Sequence, residues 1–265
     1  MEQPRLVASD VDGTLLNPWE QVTERTAAAV ARVQATSTPF VLVTGRPPRW
    51  VHPVAKAVAV SGYAVCANGA VVYDLARDEV VSAAELSPML LHDAVHALHE
   101  AIPGCKVAVE RVGHPGNPFQ AEPGYLHAWP DADSAIVPLD ALIGSPAIKL
   151  LVRAEQLRSR DMLIAAEAVL RDAVDITYST DNGLIELAVR GITKATGLAT
   201  VCAELGVEAK DVVAFGDMPN DIAMLGWAGH GVAMANAHPD VLAVADEVTA
   251  PNSEDGVALV LERWF

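Results

Sequence analysis

The sequence predicts an α/β protein, with a parallel-sheet core built from both ends of the chain and a second α/β domain inserted between them. Short apolar, β-prone runs alternate with helical stretches at the start of the chain and again at its end, the rhythm of a parallel sheet. The runs in these two parts finish in polar side chains, whereas those in the middle hardly do. The length also allows it: 265 residues, 51% of them apolar, suffice for one large domain or two smaller ones.

The first run, Arg5 to Ser9, is followed by Asp10-Val11-Asp12-Gly13-Thr14. Thr23 opens an alanine-rich helix to Ala35, with threonine as its cap. Pro39 to Arg46 is a second buried-strand pattern ending in Thr44-Gly45-Arg46, and a helical stretch follows over Trp50 to Val60. Tyr63 to Asp74 gives a third strand and a turn at Asn68-Gly69. In the last part Thr193 to Leu205 is helical, Asp211 to Asp217 a strand and Ile222 to Trp227 a helix. Gly231 to Ala235 is a short strand and Glu254 to Trp264 a final helix.

In the middle, helices are predicted near Met89 to Glu100 and Ala154 to Arg171, and strands at Lys106 to Arg111, Ala147 to Arg153 and Val174 to Tyr178. Between them, residues 111–133 are rich in glycine, proline and aromatic side chains and read as an irregular connection or a short hairpin. The predicted division is a core of residues 1–81 and 186–265 and an inserted domain of 82–185. His114, His127 and Trp129 of the irregular stretch either touch a ligand or fill that domain.

The formal net charge of -16 argues against nucleic acid or an anionic membrane as a partner. Cys66, Cys105 and Cys202 are far apart and form no zinc or redox spacing, as expected of reduced thiols in the cytoplasm. No signal peptide or membrane span is expected. Oligomeric state has no signature.

Four predicted strand ends carry polar groups: Asp10 with Asp12, Thr44 with Arg46, Asn68, and Asp217 with Asn220 and Asp221. In an open parallel sheet, ligands bind outside these carboxyl ends. Two close carboxylates repel, and burial makes each costlier, so a compensating group is required. If the strands are neighbours, Asp10 and Asp217 can share a hard divalent cation. Oxygen ligands without a histidine or thiol cluster favour Mg2+ over zinc, and such an ion usually also contacts a substrate phosphate. Lys194 stands at a helix start, where its charge adds to the dipole and free N–H groups. A metal, a cation, the neutral donors Thr44 and Asn220 and a carboxylate free to attack phosphorus together suit phosphoryl transfer. Each motif alone is an ordinary turn or cap. Their joint occurrence, in order and at strand ends, points to a site.

The stretches Asp10 to Leu16, Thr44 to Arg46, Asn68 to Ala70, Lys194 and Ala214 to Leu225 resemble the motifs of the haloacid dehalogenase superfamily. Gly231 to Ala237 and Val248 to Ala258 are similar to the tail motifs of its Cof-type phosphatases. The resemblance covers both core segments, and the middle only by position and length. Ala195 stands where the family commonly has glycine after the lysine.

The resemblance implies a Rossmann-like core with an inserted α/β cap of the C2B type. It implies Asp10 as the nucleophile that forms an aspartyl-phosphate and Asp12 as the acid and base. The metal would be held by the Asp10 side chain, the Asp12 backbone carbonyl and Asp217, with Asp221 as an occasional ligand or a partner of the ligands. Thr44, Gly45, Lys194 and Asn220 would bind the phosphoryl group, and Arg46 would reach phosphate or substrate unless it only pairs with a surface carboxylate. The implied activity is a Mg2+-dependent phosphatase for small organic phosphate monoesters, sugar phosphates first. The rivals are a phosphomutase of the phosphomannomutase type, a receiver domain phosphorylated on aspartate and a non-catalytic phosphate-responsive regulatory protein. A receiver would be far shorter and would need no inserted domain.

Overall fold

The structure is a computed structural model that describes residues 3–113, 116–127, 133–179 and 181–265. His114 and Trp129 lie outside the described residues. The chain forms two compact units, residues 1–82 with 193–265, and residues 83–192.

The first unit begins with β1 (Leu6–Ser9), α1 (Glu24–Ala35), β2 (Phe40–Val43), α2 (His52–Ala57), β3 (Tyr63–Cys66), β4 (Val71–Asp74) and β5 (Glu79–Ala83). The second unit contributes α3 (Pro88–Ala101), β6 (Lys106–Glu110), β7 (Phe119–Ala121), β8 (Ser134–Ile136), α4 (Leu139–Ile143), β9 (Lys149–Arg153), α5 (Ser159–Leu170), β10 (Val174–Thr177) and β11 (Leu184–Val189). The chain then returns with α6 (Lys194–Leu205), β12 (Val212–Gly216), α7 (Ile222–Trp227), β13 (His230–Met234), α8 (Pro239–Leu242), β14 (Glu247–Thr249) and α9 (Gly256–Leu261).

The first sheet has the order β14-β13-β12-β1-β2-β3-β4-β5. Its strands from β14 to β3 are parallel, and β4 turns back antiparallel on β3. Every residue of β1 and β2 is buried, as expected of strands covered on both faces. Leu6, Ala8, Val41, Val43 and Val65 pack with Leu198 and Val201 of α6 and Met224 and Leu225 of α7. Helices α1 and α9 pack together, tied by an Arg25–Glu262 ion pair of 2.6 Å. Strand order therefore brings the ends of β1, β2, β3 and β12, the four polar strand ends of the sequence, side by side.

The second sheet has the order β10-β11-β9-β6-β7-β8. Helix α3 starts at Pro88 with Ser87 as its cap and packs on α5. Register places Ala108 beside Leu151 and Val109 beside Leu150. The apolar Val107, Val109, Leu150 and Val152 therefore share one face, and Glu110 and Lys149 sit on the other.

Two expectations need correction. The inserted unit extends to Ile192, because β11 is antiparallel to both β9 and β10. A division at 185/186 would cut that strand in two. The helix expected from Ala154 starts only at Ser159: Ala154 donates its N–H to the Gly183 carbonyl, and Ala154 to Leu157 form a turn. Residues 111–133 take the hairpin alternative in their described part, where β7 returns antiparallel on β6, and β8, just beyond, is parallel to β7. No helix among the described residues is long and apolar enough to cross a membrane.

Candidate active site

Strand β1 runs into Asp10, which is 4% exposed. The chain then makes one wide turn over Val11 to Leu15, with Asp12 extended and Gly13 at φ 80°. A Cβ on Gly13 would lie 2.3 Å from an Asp217 carboxylate oxygen. Only glycine fits there, for backbone and for space, and its absence of side chain lets β12's end approach β1's. The Thr14 hydroxyl, on the same turn, donates to Asp217 Oδ1 at 2.7 Å.

Lys194, the first residue of α6, is buried to 1% exposure. Its place is set by the Asn68-Gly69 turn, where both residues have positive φ. A Cβ on Gly69 would meet the Thr193 carbonyl oxygen at 2.0 Å, so the helix start lies directly on the turn. From there Lys194 Nζ reaches Asp10 Oδ1 and Asp221 Oδ1, both at 2.6 Å. The other Asp221 oxygen accepts the Asp217 and Met218 N–H groups at 3.0 and 2.9 Å. Asp221 is thus fully engaged within the protein, orienting the lysine and the turn after β12.

Asp10, Asp217 and Asp221 each offer a carboxylate oxygen, and these atoms lie within 4.8 Å of one another. Three buried carboxylates against one ammonium leave negative charge uncompensated. Burial, foremost, pushes the Asp10 carboxyl well above its usual range, with Asp221, Asp217 and Asp12 adding to the rise against the pull of Lys194. Asp217 is pushed up to about 6, again chiefly by burial and then by Asp221. For Lys194, burial favours the neutral form, but Asp10 and Asp221 outweigh it, so its pKa is raised and it stays charged. An all-oxygen donor set with surplus negative charge fits a hard divalent cation.

The Asp12 carboxylate is not in that cluster. It accepts a forked pair of bonds from Arg46, at 2.9 Å to Nε and 2.5 Å to Nη2. Arg46 therefore pairs with an exposed carboxylate, the alternative left open for it, and that carboxylate is the predicted catalytic Asp12. Thr44 is fully buried at the end of β2, and its hydroxyl accepts the Arg46 N–H at 3.1 Å, leaving its hydrogen for another acceptor. Gly45 lies against Asn68, whose side-chain oxygen would be 3.1 Å from an added Cβ. Asn220 donates to that same Asn68 oxygen at 3.0 Å, while its own Oδ1 is buried without a protein partner.

Asp10, Thr44, Gly45, Arg46, Lys194, Asn220, Asp217 and Asp221 thus all lie at one end of one sheet. Thr14 and the Asn68–Asn220 bond were missed from sequence. Thr14 follows directly on the Asp-Gly signal, and Asn68 marks a strand end.

The family model for haloacid dehalogenase-like hydrolases matches residues 7–261. A pyridoxal phosphate phosphatase of Escherichia coli is 30% identical over 96% of this chain and 96% of its own length. A 5-amino-6-(5-phospho-D-ribitylamino)uracil phosphatase of Bacillus subtilis is 29% identical, over 98% of this chain and 95% of its own. The crystal structure of a haloacid dehalogenase-like hydrolase from Bacteroides thetaiotaomicron superposes with a TM-score of 0.78 at 26% identity, covering 98% of this chain and 99% of that one. With a family match over nearly the whole chain and a shared fold from end to end, the chain belongs to the haloacid dehalogenase-like hydrolases.

Proposed function

We propose that this chain, a haloacid dehalogenase-type phosphatase, hydrolyses small organic phosphate monoesters, sugar phosphates first among them, through an aspartyl-phosphate on Asp10. The observation that carries the reading is the buried cluster of three carboxylates and one lysine at the ends of β1 and β12. Mg2+, held by Asp10, the Asp12 backbone carbonyl and Asp217, would neutralise charge as the phosphoryl group approaches the carboxylates. Asp221 keeps Lys194 in place beside the nucleophile.

In this reading an Asp10 oxygen attacks phosphorus and the bond to the leaving oxygen breaks, with Asp12 delivering a proton to that oxygen. Asp12, now ionised, takes a proton from water, which attacks phosphorus and frees Asp10 with release of inorganic phosphate. Lys194, the Thr44 hydroxyl, the Gly45 backbone and the Asn220 amide would hold the phosphoryl oxygens. Arg46, clamped on Asp12, would orient that acid rather than bind phosphate. Residues 83–192 are read as the C2B cap, and Cys66, Cys105 and Cys202, buried as thiols, suit a cytoplasmic protein.

The test is phosphate release from sugar phosphates, nucleotides, pyridoxal phosphate and flavin mononucleotide, each with and without Mg2+. Mg2+-dependent turnover of monoesters without a bisphosphate activator is expected. Release only in the presence of a bisphosphate would favour a mutase, and no release from any of them would overturn the reading.

A further inference from the structure

The tail motifs Gly231 to Ala237 and Val248 to Ala258 have no role in the reaction as described so far. The structure places two of their asparagines on the turn that carries Asp12. Asn236 follows β13, and its Nδ2 donates to the Gly13 carbonyl at 2.9 Å. Asn252 follows β14, and its Nδ2 donates to the Leu16 carbonyl at 2.8 Å. The two are joined to each other, because the Asn252 N–H donates to Asn236 Oδ1 at 2.9 Å. The amide orientation of Asn236 is unambiguous, since one partner is a carbonyl and the other an N–H, and a flipped amide would oppose both.

The brace has its own support. Asp255 has φ 58° and accepts the Thr23 and Thr26 hydroxyls at 2.5 and 3.2 Å, which ties the loop after β14 to the start of α1. A Cβ on Gly256 would lie 2.0 Å from the Ala250 carbonyl oxygen, so this loop folds tightly back on itself.

We propose that Asn236 and Asn252 are positioning residues that hold the Asp12-Gly13 turn, and with it the proton-donating carboxyl, in register with the nucleophile. The peptide between Gly13 and Thr14 is gripped on its carbonyl by Asn236, while the Thr14 hydroxyl is held by Asp217. Without the Asn236 amide the Gly13 carbonyl loses its anchor, while Asn252 still holds the Leu16 carbonyl and Arg46 still grips the Asp12 carboxylate. The Asp12 backbone can then shift relative to Asp10, with the long Arg46 side chain following its carboxylate, and a displacement of about 1 Å can cost on the order of 100-fold in a positioned reaction. Asn236 is exposed and Asn252 half-buried, so loss of either bond perturbs the fold little.

The proposal rests on Asp12 as the acid, and the experiment separates the two. Wild type, Asp12→Asn, Asn236→Asp and Asn252→Asp are compared on an alkyl phosphate and on p-nitrophenyl phosphate. The first leaving group needs a proton and the second leaves readily without one. The parameter read is kcat/KM, which ends at departure of the leaving group and is blind to later hydrolysis of the aspartyl-phosphate. The isosteric Asn→Asp changes keep volume and place an acceptor against a carbonyl. Each asparagine variant is expected to lose at least about tenfold more kcat/KM on the alkyl ester than on the aryl ester. Its melting curve should stay close to wild type, with Asp12→Asn showing the same selectivity more strongly. Equal losses on both esters, or none, in the asparagine variants would overturn the brace while leaving Asp12 as the acid. An Asp12→Asn enzyme without leaving-group selectivity would overturn the reading of Asp12 itself.

Discussion

Both units bury charge, but they balance it differently. In the second unit Glu110, Arg111, Glu122, Lys149, Arg153 and Glu186 are all buried, three acids with three bases. Lys149 pairs with Glu186 at 3.1 Å. Arg111 donates to the carbonyls of Pro146, Leu142 and Ser145 and to Gln120. Glu122 accepts from Lys106 and the Val107 N–H and bonds His99. In the first unit, among the described residues, the buried Asp10, Asp217 and Asp221 have one buried basic side chain beside them, Lys194. Balanced, bonded charge fixes a structure. Charge left in surplus at a sheet end is held for a ligand that arrives later.

The largest effect should come from the unbalanced side. Asp10→Asn keeps the size of the side chain and removes the proposed nucleophile, so turnover should fall by several orders of magnitude while the circular dichroism spectrum is retained. Near-normal phosphate release from pure variant would break the distinction between the two units at its root.

Metal dependence comes next. EDTA should inactivate the wild type and Mg2+ restore it, and Asp217→Ala should not respond. Ca2+ should inhibit, since its larger and looser shell misplaces nucleophile and phosphate. The sign with pH follows from Asp217, whose pKa is raised on folding from 3.8 to about 6. Such an acid favours the metal-free fold below its unfolded value and loses that contribution as pH rises through its folded value. Mg2+ should therefore raise the melting temperature more at about pH 7.5 than at about pH 5. Equal increments at both would argue that the cluster is not where the metal binds.

Breaking the balanced side should act on stability and not on chemistry. Lys149→Met breaks the buried ion pair with Glu186 and should cost about 3–5 kcal/mol in urea unfolding, and the double variant with Glu186→Leu should recover most of it. If Lys149→Met instead lowers kcat by orders of magnitude with stability intact, this pair belongs to the reaction and the contrast fails.

The smallest effect is expected at His127, whose ring lies against Phe119 and Tyr125 at 5.0 and 5.4 Å. His127→Ala should change the ranking of kcat/KM over three or more phosphate esters by a few-fold, on the order of 1 kcal/mol. A uniform loss on all of them would mark the side chain as filling.

The core was legible because its chemistry sits where strands end. Asp10, Thr44, Asn68 and Asp217 each follow an apolar run, and the topology of a parallel sheet brings such positions together. Strand β11 was not legible. Its buried Glu186 interrupts an otherwise apolar pattern, and the Lys149 that satisfies it is 37 positions away in sequence. The Arg46–Asp12 fork was legible only as an alternative for a similar reason: a surface carboxylate was one reading for Arg46, but no local pattern points to Asp12, 34 positions away. The asparagine brace was visible only as motif. A side-chain amide bound to a carbonyl 223 positions away leaves no trace in local periodicity.

The split core has a consequence for how the molecule forms. Strand β1 lies at the centre of the sheet, yet its β12 partner is among the last parts of the chain, and the Thr14–Asp217 bond closes 203 positions. During synthesis β1 can pair with β2 early, but its other edge must wait while the whole of residues 83–192 emerges. That intervening unit has a sheet of its own and can organise first. Pairings this distant in sequence are slow to form and leave an apolar strand edge open meanwhile. In refolding followed by pulsed hydrogen exchange, amides of β6, β9 and β11 should gain protection before those joining β1 to β12. The reverse order would show that the termini find each other without help. If the expected order holds, the molecule is most prone to aggregate in the interval when the inserted sheet is complete and β1 still lacks its second neighbour.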